Sequence, residues 1–342
     1  MKRINICLIG FGNVSRAFAN LIKKKRGDLR FNYDLEMRIT AVATGSHGRA
    51  INHDGLDTEK IMGLYKSGTP LNTISAEKAP DEIMNFIQAS GADILLENSP
   101  VNYETGQPAI IHILTALESG MHAVSANKGP VVHAYQKLTA LASKKGLHFL
   151  FESAVMDGAP IFSVFREALP ASNVLAFEGI LNSCTNLLIE RMEDGQSFNE
   201  AVAYAQSIGI AETDPSGDID GWDAAIKVAV LATVLLGIPL NPQQVERKGI
   251  RDLSQTEIQQ AVKDGVRYKL VCRAEKKDGA VSASVKPEMV PANSPLFSVN
   301  GTSSFVLFKT DMLPGLGILE SNPGPETTAY GLLADILNIF RR

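Results

Sequence analysis

The sequence predicts an α/β protein: an N-terminal doubly wound parallel sheet followed by an α+β domain with a largely antiparallel sheet. Three observations predict it. The chain opens with a short apolar run, residues 4–9, that ends in a glycine turn and passes directly into apolar residues at helical spacing. Short strand-like runs and helical runs then alternate as far as Phe151. Beyond Phe151 the alternation stops, and a set of helical segments is followed by neighbouring strand-like ones. With 342 residues, 45% of them hydrophobic and 20% charged, the chain can fill two cores without staples.

In the opening segment, G-F-G-N-V-S follows the apolar run, and Val14, Ala17, Phe18, Leu21 and Ile22 then fall on one helical face. Gly10 and Gly12 stand where a dinucleotide fingerprint has its first two glycines. The first permits a tight turn, and the second lets the backbone approach a pyrophosphate at the helix N-terminus. Ser15 takes the place of the third. A βα unit of this kind is the start of a Rossmann sheet that binds a dinucleotide. The second strand, residues 39–43, ends in T-G-S-H-G-R and offers no acidic residue for a ribose 2′-hydroxyl. Ser46, His47 and Arg49 suit a 2′-phosphate instead, which favours NADP over NAD.

Further units follow: a strand at 92–96, a helix at 109–117 started by Pro108, a strand at 122–125, a helix at 135–145 stopped by Gly146, and a strand at 148–151. Ligands of such sheets lie beyond the carboxyl ends of the strands. Two polar loops stand there, E-N-S-P at 97–100 and S-A-N-K-G-P at 125–130. Lys128 follows a buried strand in a loop stiffened by Asn127, Gly129 and Pro130, so it can meet a substrate carboxylate or a nicotinamide.

The turn-rich E-S-A-V-M-D-G-A-P then hands the chain to a second domain, which sets the expected boundaries at 1–151, completed by a closing helix at 325–342, and 152–324. A strand at 174–181 precedes a helix that begins T-N-L-L-I-E-R-M, and Ser197 with Glu200 forms a capping box for the helix ending near Gly209. A second capping box stands at Ser254 and Glu257, and Asp278 and Gly279 mark a hairpin between strands at 266–274 and 281–285, with another strand at 305–309.

The densest chemistry lies in I-A-E-T-D-P-S-G-D-I-D-G-W-D-A-A-I-K, residues 210–227, which leads into an apolar run closed by Gly237. That run reads as a helix buried all round. Asp223 and Lys227 are four apart and share a helix face. On an exposed helix such a pair is an ordinary surface bridge, but desolvating both charges at the mouth of a buried helix is costly, which points to chemistry.

Composition excludes other classes. A net charge of -4 and a pI near 5.9 leave no footprint for nucleic acid. The longest apolar run, residues 228–236, falls far short of the ~20 residues of a membrane span, and no signal peptide precedes the first strand. A cytoplasmic enzyme with a small-molecule substrate is expected. Cys7, Cys184 and Cys272 lack paired or metal-binding spacing and read as small buried side chains.

Taken together, G-F-G-N-V, S-A-N-K-G-P, F-E-S-A-V-M-D-G-A-P, G-I-L-N-S-C-T-N, A-E-T-D-P-S-G-D-I-D-G-W-D-A-A-I-K and T-A-Y-G-L-L-A-D-I resemble the motifs of short homoserine dehydrogenases, in order over essentially the whole chain. The resemblance implies reversible NAD(P)-dependent interconversion of L-homoserine and L-aspartate 4-semialdehyde, for threonine and methionine biosynthesis, on a homodimer. It makes Lys227 the proton donor, with Lys128 the alternative, sets Asp223 and Glu212 on the substrate's polar groups, and places Lys128 by nicotinamide and substrate. It adds Asn13, Val14, Ser99, Gly209 and Gly324 to the nucleotide contacts. It also implies a structural monovalent cation, such as Na+, near Glu152 and the backbone oxygens of Val155, Asp157 and Ala159.

The chain departs from the family pattern in N-S-C-T-N at 182–186, at Met156 and Asp157, and in N-P-G-P-E at 322–326. It reaches Arg342 directly after the closing helix, so feedback by threonine through an appended domain is not expected. Two other readings compete: a semialdehyde dehydrogenase acylated on Cys184, and a degenerate dehydrogenase that senses NADP(H) without turnover. The first needs a base beside the thiol, and no histidine accompanies Cys184. The second has no use for Lys128, Glu212, Asp223 and Lys227 together.

Overall fold

The computed structural model describes residues 1–340. Arg341 and Arg342, the end of the expected closing helix, lie outside the described residues. The chain forms two compact units, one of residues 1–160 with the segment from Gly324 onward, the other of residues 161–323.

The first unit runs β1 (Lys2–Ile9), α1 (Asn13–Lys24), α2 (Arg26–Tyr33), β2 (Leu35–Ala43), β3 (Arg49–Ile51), α3 (Thr58–Ser67), α4 (Ile83–Ala89), β4 (Ile94–Glu97), α5 (Ala109–Glu118), β5 (His122–Ser125), α6 (Lys128–Lys144) and β6 (Phe149–Leu150). Its six-stranded sheet has the order β3-β2-β1-β4-β5-β6. All neighbours pair in parallel except β3, which runs antiparallel to β2. Ile6, Cys7 and Leu8 are all fully buried, because helices cover both faces of a parallel sheet and leave no polar side to alternate with. The strand order reverses between β1 and β4, so the crevice for a ligand opens at their carboxyl ends.

The second unit runs β7 (Val174–Ile180), α7 (Ser183–Glu193), α8 (Phe198–Ser207), α9 (Ser216–Ile219), α10 (Trp222–Leu231), β8 (Glu246–Arg247), α11 (Gln255–Lys263), β9 (Val266–Lys277), β10 (Ala280–Pro291), β11 (Ser304–Thr310) and β12 (Leu316–Glu320). Its six strands follow the order β12-β11-β7-β9-β10-β8, antiparallel except for β8 beside β10. Asp278 and Gly279 take φ of 50° and 79°, the two left-handed residues that a tight hairpin turn requires. α7, α10 and α11 pack on the sheet. Arg273, paired with Glu178 and Glu288, lies partly exposed on the sheet.

The last helix, α12 (Pro325–Ile339), returns to the first unit and buries Ala329, Leu332, Leu333 and Ile336 in the core of β1 and α1. Each such leucine or isoleucine contributes roughly 1.5–3 kcal/mol. This return also corrects the expected boundary after Phe151. Residues 152–160 stay with the first unit because the Glu152 N–H donates to Asp335 (2.7 Å), the Ser153 hydroxyl donates to the Thr328 carbonyl (2.8 Å), and Gly158 packs directly on the Thr327 backbone.

Candidate active site

The glycine turn of the first unit is built by two glycines with different tasks. Gly10 has φ of +87°, and a Cβ there would stand 2.5 Å from the Asn98 carbonyl oxygen, so the ends of β1 and β4 meet only over a bare backbone. A Cβ on Gly12 would meet nothing within 4 Å. Gly12 is the N-cap of α1, with no side-chain cap and no acidic residue in the first turn. The first-turn amides, including those of Asn13 and Val14, are therefore left without a side-chain cap beside an open Gly12, a setting that attracts an anion. Ser15 is fully buried and accepts a hydrogen bond from Asn98 Nδ2 (2.9 Å), a polar tie that replaces close packing of a third glycine.

Beyond β2 the chain curls on itself. The His47 N–H donates to Thr44 Oγ1 (2.7 Å), Thr44 Oγ1 donates to the Gly48 carbonyl (3.2 Å), and Ser46 Oγ meets His47 Nδ1 (2.8 Å). The His47 ring lies on Tyr65, centroids 4.5 Å apart. Arg49 does not stand free at this end of the sheet as expected. It lies on β3, and its Nη1 donates to the carbonyls of Pro80 (2.9 Å) and Asp81.

The ends of β4 and β5 are stitched together. Glu97, fully buried, accepts hydrogen bonds from the Ser99 hydroxyl and the Ser99 N–H and lies 3.2 Å from His112 Nδ1. The Ser125 hydroxyl donates to the Glu97 carbonyl (3.0 Å). Asn127 Nδ2 donates to the Ser99 carbonyl (3.0 Å), while Asn127 Oδ1 accepts the Gly129 N–H (2.9 Å) and caps α6. The helix consequently starts at Lys128 rather than at Tyr135, because Asn127 caps it and Pro130 is tolerated in a first turn. Lys128 thus sits on a rigid helix end at the carboxyl edge of the sheet.

In the second unit, α10 is buried throughout residues 224–231 except for Lys227. A wide turn, Ala232–Leu236, extends it to Gly237, which ends it in the left-handed conformation. The Lys227 Nζ lies 2.8 Å from Asp223 Oδ2 and donates to the Leu181 carbonyl (2.7 Å); these side chains are only 16% and 15% exposed. Asn182 Nδ2 donates to both Asp223 Oδ2 (3.0 Å) and Asp218 Oδ1 (2.6 Å), and Asn182 Oδ1 accepts the Thr185 N–H (2.8 Å) as the cap of α7. Burial, and then the neighbouring Asp223 charge, holds the Asp218 carboxyl above the usual aspartate range.

Burial and the charges of Asp218 and Asp223 raise the pKa of the Cys184 thiol, the opposite of what a nucleophilic cysteine requires. Like Cys7 and Cys272, it is free and buried.

The predicted residues are therefore not all gathered. Asp223 and Lys227 form one cluster, whereas Glu212 is exposed on the approach to α9, with its carbonyl accepting from Gln206 Nε2 (3.0 Å). Gly209, with φ of +75°, closes α8, and Gly324 caps α12 with its N–H on Thr327 Oγ1 (2.8 Å). Asn182 and Asp218 were missed. The signals were an Asn directly after a strand and before S-C-T-N, and a second Asp five positions before Asp223. Glu152 is buried, and Met156 and Asp157 take φ of 55° and 49° in the turn that follows it. Among the described residues no group of three or more His, Cys, Asp or Glu could hold a metal ion, and no helix is long and apolar enough to cross a membrane.

Comparison with known proteins places these features in context. Residues 160–337 match the family model for homoserine dehydrogenase, and residues 10–152 match that for the NAD binding domain of homoserine dehydrogenase. An NAD(+)-dependent homoserine dehydrogenase from Pseudomonas canavaninivorans is 35% identical over 100% of this chain and 97% of its own. A homoserine dehydrogenase from Methanocaldococcus jannaschii is 34% identical over 98% of each chain. The structure of a hyperthermophilic archaeal homoserine dehydrogenase in complex with NADPH superposes with a TM-score of 0.82 at 29% identity, over 99% of this chain and 98% of that one.

Proposed function

The chain belongs to the homoserine dehydrogenase family, NAD(P)-dependent oxidoreductases that act on a CH–OH group, and we propose that Lys227 is the proton donor and acceptor of its reaction. The observation that carries this is the single amine on an otherwise buried helix, fixed by the Asp223 carboxylate and the Leu181 carbonyl. Bound in its oxidised form, NAD(P) would supply the hydride acceptor for the alcohol carbon of L-homoserine, and in its reduced form the hydride donor for the aldehyde carbon of L-aspartate 4-semialdehyde. The protein must manage the charge left on oxygen. A positioned ammonium stabilises the developing alkoxide and gives it a proton; in the oxidation the neutral amine takes that proton.

Asp218 and Asp223, bridged by Asn182, supply two acceptors for the substrate's ammonium group. Glu212 and Lys128 are assigned to the same substrate by their motifs, Lys128 also to the nicotinamide. For the dinucleotide, the open amides at Gly12, Asn13 and Val14 hold the pyrophosphate, Gly10 permits the approach, and Ser99, Gly209 and Gly324 complete the contacts. NADP is the preferred form, supported by the lack of an acidic residue at 44–49 and by Ser46 and His47. Arg49 donates through Nη1 to the carbonyls of Pro80 and Asp81. The two named relatives that specify a cofactor differ, one being NAD(+)-dependent and the other complexed with NADPH.

The carboxylate of Glu152 and the carbonyls of Val155, Asp157 and Ala159 are all hard oxygen donors, and the left-handed Met156 and Asp157 redirect the carbonyls of that turn. They suit a monovalent cation such as Na+ in a structural role. Residues 1–160 with the final helix act as the dinucleotide-binding domain and residues 161–323 as the substrate and dimerisation domain, the partly exposed sheet around Arg273 being the surface offered to a second copy. Three free cysteines fit the reducing cytoplasm.

The test is reduced-cofactor formation from L-homoserine with NADP and with NAD, for wild type and Lys227→Ala. A fall in kcat of about 10²–10⁴ with cofactor binding retained is expected. A variant turning over within a few-fold of wild type would remove Lys227 from the chemistry.

A further inference from the structure

The preference for NADP needs a cation where the adenosine 2′ position lies, beyond the end of β2. Of the three side chains predicted there, Arg49 is engaged by the carbonyls of Pro80 and Asp81, and Ser46 is neutral and turned to His47, itself against Tyr65. A different arginine is placed to supply that cation. Arg16 stands in the first turn of α1, its N–H bonded to the Gly12 carbonyl (3.1 Å). Its guanidinium carbon lies 4.6 Å from the centre of the Tyr65 ring, and one nitrogen donates to Asn13 Oδ1. Among the described residues it pairs with no carboxylate.

Tyr65, from α3, is the meeting point of three segments of the crevice. Phe11 of the glycine turn packs edge-on to it with centroids 5.7 Å apart, Arg16 of α1 stacks on it, and His47 of the β2 loop lies against it at 4.5 Å. Stacking engages a guanidinium through its π face, and with one nitrogen of Arg16 on Asn13 Oδ1 the remaining N–H groups are left to a ligand. A planar, pre-oriented N–H edge is the geometry that takes a phosphate through two parallel hydrogen bonds. His47, its Nδ1 engaged by Ser46, meets the same Tyr65 ring.

Building on the NADP reading above, we propose that Arg16, held over the Tyr65 ring that His47 also meets, recognises the adenosine 2′-phosphate and sets the choice of NADP over NAD. A neutral adenosine 2′-hydroxyl gains far less from a guanidinium than a phosphate dianion does, so the discrimination lies in this contact. The sequence motif conceals it, because Arg16 follows the fingerprint and precedes the β2 loop in which such a residue is ordinarily sought.

The test uses two fragments that differ only in that phosphate. Titration of wild type, Arg16→Gln, Tyr65→Leu and Arg49→Gln with 2′,5′-ADP and with 5′-AMP is read by calorimetry, and KM is measured for NADP and NAD. Arg16→Gln should weaken 2′,5′-ADP by about 10- to 100-fold relative to 5′-AMP and raise the ratio of KM for NADP to KM for NAD in step. Tyr65→Leu should move the same ratio less far, and Arg49→Gln should leave it alone. If wild type prefers 2′,5′-ADP and Arg16→Gln keeps that preference, the assignment to Arg16 is wrong while the NADP reading stands. If wild type binds both fragments alike, the NADP reading itself fails and the assignment falls with it.

Discussion

Lys227 reaches Asp223 across one helical turn at 2.8 Å while donating to the Leu181 carbonyl at 2.7 Å, so its ammonium is fixed by a carboxylate and a main-chain oxygen at once. Charge and proton transfer can be separated at this position. Lys227→Met leaves Asp223 beside Asp218 with only Asn182 between them, and the stranded carboxylate should cost about 1–3 kcal/mol of stability along with kcat. Lys227→Arg keeps the charge but cannot release a proton near neutral pH. Thermal unfolding of Lys227→Arg should return towards wild type while its kcat stays down by at least about 10²-fold. Recovery of kcat together with stability would mean that Lys227 acts only as a charge.

Asn182 joins two roles in one amide, since its nitrogen holds Asp218 and Asp223 and its oxygen caps α7. Asn182→Asp keeps the capping oxygen and loses the donor, whereas Asn182→Ala loses both. Asp218 already titrates high because of burial and Asp223, and loss of the shared donor should push it higher. The acidic limb of kcat/KM for L-homoserine should therefore move to higher pH in both variants, since the substrate's ammonium needs the carboxylate form. Only Asn182→Ala should also lose the cap, about 1 kcal/mol in unfolding experiments. An unmoved acidic limb in both would show that Asp218 does not meet the substrate.

The legible parts of this chain were those written in local pattern. Residues 4–9, the glycine turn and the D-G hairpin at 278–279 could be read because strand burial, helix start and left-handed turns each need particular residue types. The buried helix was legible from an apolar run broken by one lysine. What stayed hidden was tertiary. The start of α6 at Lys128 depends on Asn127 serving both as cap and as a tie to Ser99, and the capture of residues 152–160 depends on Asp335 and Thr328 far along the chain. Likewise, Arg49 looked available because nothing local shows that the Pro80 and Asp81 carbonyls come to meet it.

The two glycines of the first turn should respond differently to the same methyl group. In Gly10→Ala the new Cβ would lie 2.5 Å from the Asn98 carbonyl oxygen on a residue at φ +87°, so both clash and backbone strain oppose it. Stability should fall by roughly 1–3 kcal/mol or more. In Gly12→Ala the Cβ enters open space at a helix N-cap, where alanine caps less well than glycine by roughly 1 kcal/mol and no clash is added. That space is the one assigned to the pyrophosphate, so cofactor affinity should drop at least about tenfold as the backbone is held away. Unchanged NADP binding by a well-folded Gly12→Ala would mean that the dinucleotide does not approach this turn.

Lys269 offers a prediction about pH that is independent of catalysis. It is fully buried in β9, donates to Asn186 Oδ1 (3.0 Å) and to the Val299 carbonyl, and so ties the segment before β11 to the sheet. Burial, and then the nearby Arg267 charge, pushes its pKa down to about 8 from 10.5. Between those values the unfolded chain binds the proton more tightly than the folded one, so unfolding takes up a proton and stability rises with pH across the window. Below pH 8 the penalty of holding the buried charge is fully present, of order 3 kcal/mol for a shift of this size. Urea unfolding of wild type and Lys269→Met at pH 7.5, 8.5 and 9.5 isolates this group from the other titrations. The stability of wild type relative to Lys269→Met should increase over the series, and a constant difference would show that Lys269 keeps the same charge in the folded and unfolded chain.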